Sequence, residues 1–299
     1  MSEVFSFVDA QRARYPVSVM CKVLEVSRSG FHAWRRRQPC QRARSDAQLV
    51  GRIRKIHKRS KGTYGSPRIH AQLAHEGVQV GRKRVERLMC REGLTGLVVR
   101  KRGKTTIKVP GVRVADDLVD RDFDPSEPNK LWVADITYIR TWEGWLYLAA
   151  VIDCYSRRCV GWSMADHLKA ELVVDALEMA VSRRRPDPGL VHHSDQGSQY
   201  VSLVFGQRCH DAGIAQSMGS KGDAYDNAVA EAFFSSLKKE CINRRSWPTK
   251  QKARSAAFEW IEGWYNAERL HSTIGYVSPV VYEEISFPQQ QQKEMELVT

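Results

Sequence analysis

Hydrophobic positions repeat at helical spacing through the first third of the chain and change to strand-like runs after residue 130. Residues 17–37 (VSVMCKVLEVSRSGFHAWRRR) read as two helical segments broken near Glu25–Ser27, with Ser27 placed to cap the second. SDAQ at 45–48 reads as a capping-box start, followed by an apolar stripe at Leu49, Val50, Ile53 and Ile56. In GSPRIHAQLAHEG, Ser66 is the predicted cap, Pro67 the first helical residue and Gly77 the stop. A second helix over 81–93 buries Val85, Leu88 and Met89 and again ends at a glycine. Its first turns are crowded with Arg82, Lys83, Arg84 and Arg87. Two short helices across a tight turn, the second basic at its start, follow helix-turn-helix logic, and 17–37 reads as a first such unit.

After residue 130 the period changes. LWVADITYI (131–139) alternates and is rich in strand formers, whereas GWLYLAAVID (144–153) is nearly continuous, as in a strand covered on both faces. RRCVGWSMA (157–165) gives a third strand, KAELVVDALEMAVSRR (169–184) an amphipathic helix, and GLVHHSDQG (189–197) a short buried strand running into a loop. Strands, helix, strand and further helix predict an α/β mixed sheet preceded by small all-α units. SAAFEWIEGWYNAERL places Trp260, Trp264 and Tyr265 on one helical face, read as packing.

The predicted division is a helical DNA-binding region at 1–95, a basic linker at 96–127, a sheet domain at 128–286 and a disordered glutamine-rich tail at 287–299.

Charge sharpens that division. Residues 1–110 hold 26 Lys and Arg against 7 Asp and Glu, while the remainder holds 21 against 27. A basic arm for a polyanion, joined to a domain of different purpose, is the expectation. Arg28, Arg35 and Arg36 join the four basic residues of 82–87 as candidate DNA contacts. No apolar run approaches the ~18–20 residues of a membrane span, and the first residues lack the order of a signal peptide, so cytoplasmic residence is expected. The 7 cysteines form no CxxC pair, which argues against a disulfide framework or a zinc knuckle.

Within the sheet domain, Asp135 lies inside the first strand between residues that promise burial, Asp195 ends the fourth strand, and Glu231 opens a helix flanked by Ala and Phe. A buried carboxylate is costly unless paired or metal-bound. Acids converging from two strand positions and a helix suit a pair of hard cations. Lys238, seven residues after Glu231, falls near the same helical face and is a candidate contact to the DNA backbone. Asp153 reads as a turn cap, and Asp223 and Asp226 as loop and cap residues before the helix. His192 and His193 alternate on a strand, so only one of them can face the acids, and a buried, hydrogen-bonded histidine rather than a ligand is the expectation there. Arg269 and His271 suit either phosphate contact or structural hydrogen bonds.

Thirty-five residues lie between Asp195 and Glu231. HSDQGSQY, SKGDAYDNAVAEAFFSSLKKE and NAERLHSTIGYVSP resemble signatures of the second-reading-frame (OrfB-type) transposases of the insertion sequence three family, relatives of retroviral integrases. VSRSGFHAWRRR and YGSPRIHAQL extend the resemblance into the basic half. It implies an RNase H-like integrase core with Asp135, Asp195 and Glu231 as catalytic, metal-binding acids. It implies two Mg²⁺ ions, with Mn²⁺ able to substitute, one ion shared by Asp135 and Asp195. It further implies cleavage exposing a 3′-hydroxyl, attack of that hydroxyl on a second phosphodiester, and a bacterial host in which the bound protein is nucleoid-associated. The expected partners are double-stranded DNA (terminal inverted repeats and target), an upstream-frame protein or frameshift fusion, and further copies of the chain on DNA. No sustained heptads precede residue 130, so the zipper of such a fusion is not found here. A regulator without catalysis and a nuclease without strand transfer are the alternatives, and joined rather than degraded DNA separates the transposase from the latter.

Overall fold

A computed structural model describes residues 2–38, 40–97, 118–119, 123–219 and 228–286. The linker expectation falls largely, and those for Asp223, Asp226 and the tail wholly, outside these residues.

Helices α1 (Ser2–Gln11), α2 (Val17–Val23) and α3 (Arg28–Arg36) enclose a small core of Phe5, Val8, Met20, Cys21 and Phe31. The predicted break holds, and the Ser27 hydroxyl accepts the Gly30 N–H at 3.2 Å as the cap of α3. The sequence reading missed α1, whose Phe5 ring packs on Phe31 and Trp34 at 6.1 and 5.9 Å.

The second unit comprises α4 (Gln41–Arg59), α5 (Ser66–His75) and α6 (Arg82–Arg91). Leu49, Val50, Ile53 and Ile56 are buried as expected. SDAQ is not a helix start. The helix begins a turn earlier at Gln41, and Asp46, rather than capping, accepts from Arg84 Nε at 2.8 Å and Arg87 Nη2 at 2.9 Å. A carboxylate suited to capping has taken two guanidinium partners instead, which hold its pKa below the usual range. Ser66 is likewise the first helical residue, with Gly65 as the cap.

Strands β1 (Leu131–Thr141), β2 (Gly144–Asp153) and β3 (Cys159–Ala165) form an antiparallel meander. Helix α7 (Ala170–Arg184) crosses to β4 (Val191–Ser194), and α8 (Leu203–Asp211) to β5 (Ala215–Met218). The sheet order is β3-β2-β1-β4-β5, with β4 parallel to both β1 and β5. Four residues of mixed polarity, AQSM, gave β5 no sequence signal. Then follow α9 (Ala228–Glu240), α10 (Lys250–Phe258), a π-helical stretch at Glu259–Asn266 and α11 (Pro279–Ser286).

The nearly continuous apolar run of β2 is explained by cover on both faces. Trp132, Ala149 and Val151 pack with Leu172 and Leu177 of α7, while Val133, Leu146 and Leu148 pack with Phe233 and Leu237 of α9. Trp260 and Tyr265 join the second face as packing residues, as predicted. The π-helical stretch turns Asn266 toward the outer strand, where its amide accepts the Cys159 N–H and donates to the Cys159 carbonyl, each at 2.9 Å. Asp153 is the turn cap expected, accepting the Asn129 and Tyr155 N–H groups at 2.9 Å and facing Arg184 at 3.3 Å.

The helix-turn-helix-like unit is docked on the sheet domain. Leu270 enters the α4–α6 core, its N–H donates to the Tyr64 hydroxyl at 2.8 Å, and its carbonyl accepts from Arg68 at 3.0 Å.

A Cβ at Gly161 would collide with the Ala176 carbonyl and lie 2.7 Å from Ala180 Cβ, because α7 lies flush on β3. Gly161→Ala is therefore expected to lower stability by about 1–3 kcal/mol. Gly51→Ala, exposed in α4 with nothing within 4 Å of its Cβ, is expected to raise it by about 0.5–1 kcal/mol. Thermal denaturation of the two variants checks both signs.

Candidate active site

The site begins where a strand pairing ends. β4 accompanies β1 only as far as the pair Ala134↔Ser194. At the next position on each strand stand Asp135 and Asp195, so the parallel register brings the two acids to the same end of the pairing. Beyond it, residues 135–141 of β1 have no strand on that side among the described residues, and the sheet is open there.

Asp135 is mostly buried and its Oδ1 accepts the Ile136 N–H at 2.7 Å. Asp195 is exposed on the loop after β4, where its Oδ1 accepts the Gly197 N–H at 3.1 Å. A Cβ at Gly197 would sit 3.0 Å from that oxygen, which favours glycine in this loop. Glu231 is exposed in the first turn of α9, where the helix dipole favours an anion. Burial above all, with the neighbouring Asp195 and Glu231 charges, raises the Asp135 carboxyl to about 7 against the opposing Ile136 N–H and Lys238. The structure thus brings Asp195, Glu231 and Lys238 within electrostatic reach of Asp135. Among the described residues, no three His, Cys, Asp or Glu side chains close into a metal cage. The donors are all carboxylate oxygens and their mutual repulsion calls for positive charge, a combination that fits a hard divalent cation.

The comparisons with known proteins bear on this arrangement. Models described as an integrase core domain match residues 125–224 and 212–279, and one described as an HTH-like domain matches 44–102. The chain is 39% identical over 281 residues to the transposase for insertion sequence element IS629 of Shigella sonnei, covering 92% of this chain and 94% of that protein. It is 38% identical over 281 residues to transposase InsF for insertion sequence IS3A of Escherichia coli K12, covering 93% and 98%. It is 40% identical over 265 residues to an uncharacterized 31 kDa protein of insertion element IS600 of Shigella sonnei, covering 89% and 97%. The chain belongs to the insertion sequence three (IS3) family of transposases.

Around the acids of this transposase the sequence reading is partly corrected. His193 shares the Asp135 face and bonds Ser217 Oγ at 2.9 Å through Nδ1. His192 is buried on the other face against Phe205, where, among the described residues, neither ring nitrogen finds a hydrogen-bond partner. Aromatic rings pack against it, and burial pushes its pKa down to about 4. Tyr200 went unremarked. Its ring is buried against His192 and Phe205, its hydroxyl has no partner among the described residues, and burial followed by the Asp135 and Asp195 charges raises its pKa well above normal. Its place at the end of HSDQGSQY was the available signal.

Lys238 lies with its Nζ 5.1 Å from the centre of the exposed Tyr138 ring, at the open edge. Arg269, left open between phosphate contact and structure, is buried and paired with Glu240 at 2.7 Å, with a further bond to Ser236 at 3.1 Å. Of the basic candidates, Arg28, Arg36, Arg82 and Lys83 are exposed with no ion pair among the described residues. Arg35 faces Asp9 at 3.4 Å, and Arg84 and Arg87 are engaged by Asp46.

In the cation-free transposase, the extra proton on Asp135 is bound by the folded state. Its stabilising contribution is full below pH ~4, the ordinary carboxylate range, and is lost as pH rises through about 7. Asp135→Asn removes that loss, so thermal melts should find the variant the more stable protein at pH 8 but not at pH 4. Glu240→Gln, by contrast, leaves the Arg269 charge buried and unpaired and is expected to cost about 3–5 kcal/mol in denaturant unfolding. Replacing both partners by apolar residues should cost far less.

Proposed function

We propose that this transposase cuts DNA at the ends of its element to expose a 3′-hydroxyl and joins that hydroxyl to a second phosphodiester, with Asp135, Asp195 and Glu231 as the acids of the site. The observation that carries the reading is Asp135: a mostly buried carboxyl, held at the open end of the β1–β4 pairing, whose pKa is raised by burial and by Asp195 and Glu231. The family membership supports the same chemistry. Asp135 and Asp195 would hold one Mg²⁺ and, with Glu231, a second, and when bound such ions activate the attacking oxygen and stabilise the departing one.

The chain's own residues supply position and charge. The strand fixes Asp135, the Asp195–Gly197 bond shapes the loop beside it, and α9 presents Glu231 and Lys238 on one face. Lys238 offsets the phosphate charge that a DNA strand brings to the open edge. A covalent enzyme intermediate is not expected. Tyr200, whose hydroxyl feels the Asp135 and Asp195 charges, is fully buried with a pKa raised well above normal, and the Cys154 and Cys159 thiols are buried and likewise raised. Arg28, Arg36, Arg82 and Lys83 are the exposed cations available to the element ends, and an upstream-frame protein and further copies of the chain complete the assembly.

The test is strand joining on labelled DNA carrying the element's own ends, with Mg²⁺, comparing the chain with Glu231→Gln. Joined products are expected from the parent and a loss of at least 100-fold in the variant, the scale at which electrostatic contributions to such sites act. Joining that survives the substitution removes Glu231 from the site, and products that are only nicked or degraded identify a nuclease instead.

A further inference from the structure

A cleft of about 320 Å³ opens between α5, α9 and the segment after the π-helical stretch, lined among others by Arg68, Arg157, Ser236, Arg269, His271 and Thr273. It lies off the acids. At ~100° per residue, Ala232 and Ser236 of α9 face it about a third of a turn round the helix from Glu231. Nothing in the proposed chemistry uses it.

Its charge is unbalanced. Arg269 is neutralised by Glu240 at 2.7 Å. Arg68 has no ion pair among the described residues; its Nε donates to the Leu270 carbonyl at 3.0 Å and its guanidinium lies 5.5 Å from the centre of the Tyr64 ring. Arg157 pairs with the 93% exposed Asp124 at 3.9 Å, whereas its own side chain is only 18% exposed and, among the described residues, its Nε is buried without a hydrogen-bond partner. Among the described residues, the cleft therefore gathers three guanidinium groups around a single buried carboxylate. Its histidine is no counterweight, since burial and these arginines push the His271 pKa well below the usual range. Half-buried cations with so little carboxylate beside them are costly to fold, and an anion is what relieves them.

The backbone is also shaped for it. Arg157 stands at φ +62, a left-handed conformation that a residue with a side chain adopts at a cost, and its carbonyl is pinned by the Tyr265 hydroxyl at 2.8 Å. The two incompletely neutralised arginines come from different units, Arg68 from the helix-turn-helix-like unit and Arg157 from the turn between β2 and β3.

We propose that this cleft holds a backbone phosphate of the DNA strand near the one being cut, gripped by Arg157 of the sheet domain and Arg68 of the helix-turn-helix-like unit, with the Thr273 hydroxyl at its mouth. The proposal rests on the reading of the chain as a DNA-joining enzyme, and it gives DNA a contact that requires both units at once.

The experiment uses the full chain in EDTA with a fluorescent duplex, reading affinity by anisotropy over a salt series. Arg157→Gln is compared with Lys252→Gln, an exposed α10 charge outside the cleft. Removing one cation from a phosphate lowers the slope of log affinity against log salt by about one. That decrease is expected in Arg157→Gln and not in Lys252→Gln, and Arg157→Lys should restore most of it. Thr273→Glu, at an exposed position, should weaken DNA binding in the same direction, and serves as the deciding variant should Arg157→Gln not fold. A slope equal to that of the parent, in variants whose melting temperature is also that of the parent, overturns the proposal. In a second arm the parent and Arg157→Gln are titrated with inorganic phosphate by calorimetry. Phosphate binding that Arg157→Gln abolishes while the DNA slope stays unchanged assigns the cleft to a free phosphate and overturns its DNA occupant. Because no divalent cation is present and no joining is read, failure here leaves the Asp135–Asp195–Glu231 reading untouched.

Discussion

One buried ion pair sets the position of much else in this transposase. Glu240 and Arg269 meet at 2.7 Å with each side chain 6% exposed, and neither can leave without stranding the other in a low-dielectric interior. Glu240 ends the helix that Glu231 begins, nine residues and ~13 Å earlier at 1.5 Å per residue. The orientation of an exposed acid is thus inherited from a contact at the far end of its helix. Arg269 in turn precedes Leu270, whose backbone is held by Tyr64 and Arg68. Segments near residues 64, 240 and 269 are brought to one point, and the helix-turn-helix-like unit is tied to the helix that carries Glu231.

The acids show the opposite economy. A protein selected for stability alone would not bury Asp135 beside two further carboxylates. The sheet accepts that penalty at the position where β4 stops, so that the least comfortable charge in the strand lies at the open end of its pairing. Stability given up at a site and recovered in a well-packed surround is the usual division, and here the surround is two apolar layers meeting on β2.

Much of this was legible beforehand because the signals were local. Residues 144–153 form β2 over the whole predicted run, and Ser27, Gly77, Asp153 and the stripe of α4 behave as their residue types suggest. Failures came where a long-range partner outcompeted a local preference. Asp46 gave up capping for two arginines of another helix. Arg84 and Arg87, basic residues of helix-turn-helix pattern, are engaged by that same acid. β5 and α1 carry too few patterned residues to stand out alone and exist because neighbours complete them. The unsatisfied rings of His192 and the hidden hydroxyl of Tyr200 follow from what packs around them, which no spacing in a single sequence encodes.

The amide of Asn266 against Cys159 has a further consequence for how copies of the chain can meet. β3 is an outer strand of the sheet, and outer strands offer unpaired backbone to any neighbour able to lie alongside. By bonding one residue's N–H and carbonyl together, the side chain stands in for a missing strand and occupies the first rung of that ladder. A second copy approaching this edge finds its first hydrogen bonds already taken. Strand pairing along this edge would first have to displace Asn266, which makes β3 a guarded edge of the sheet.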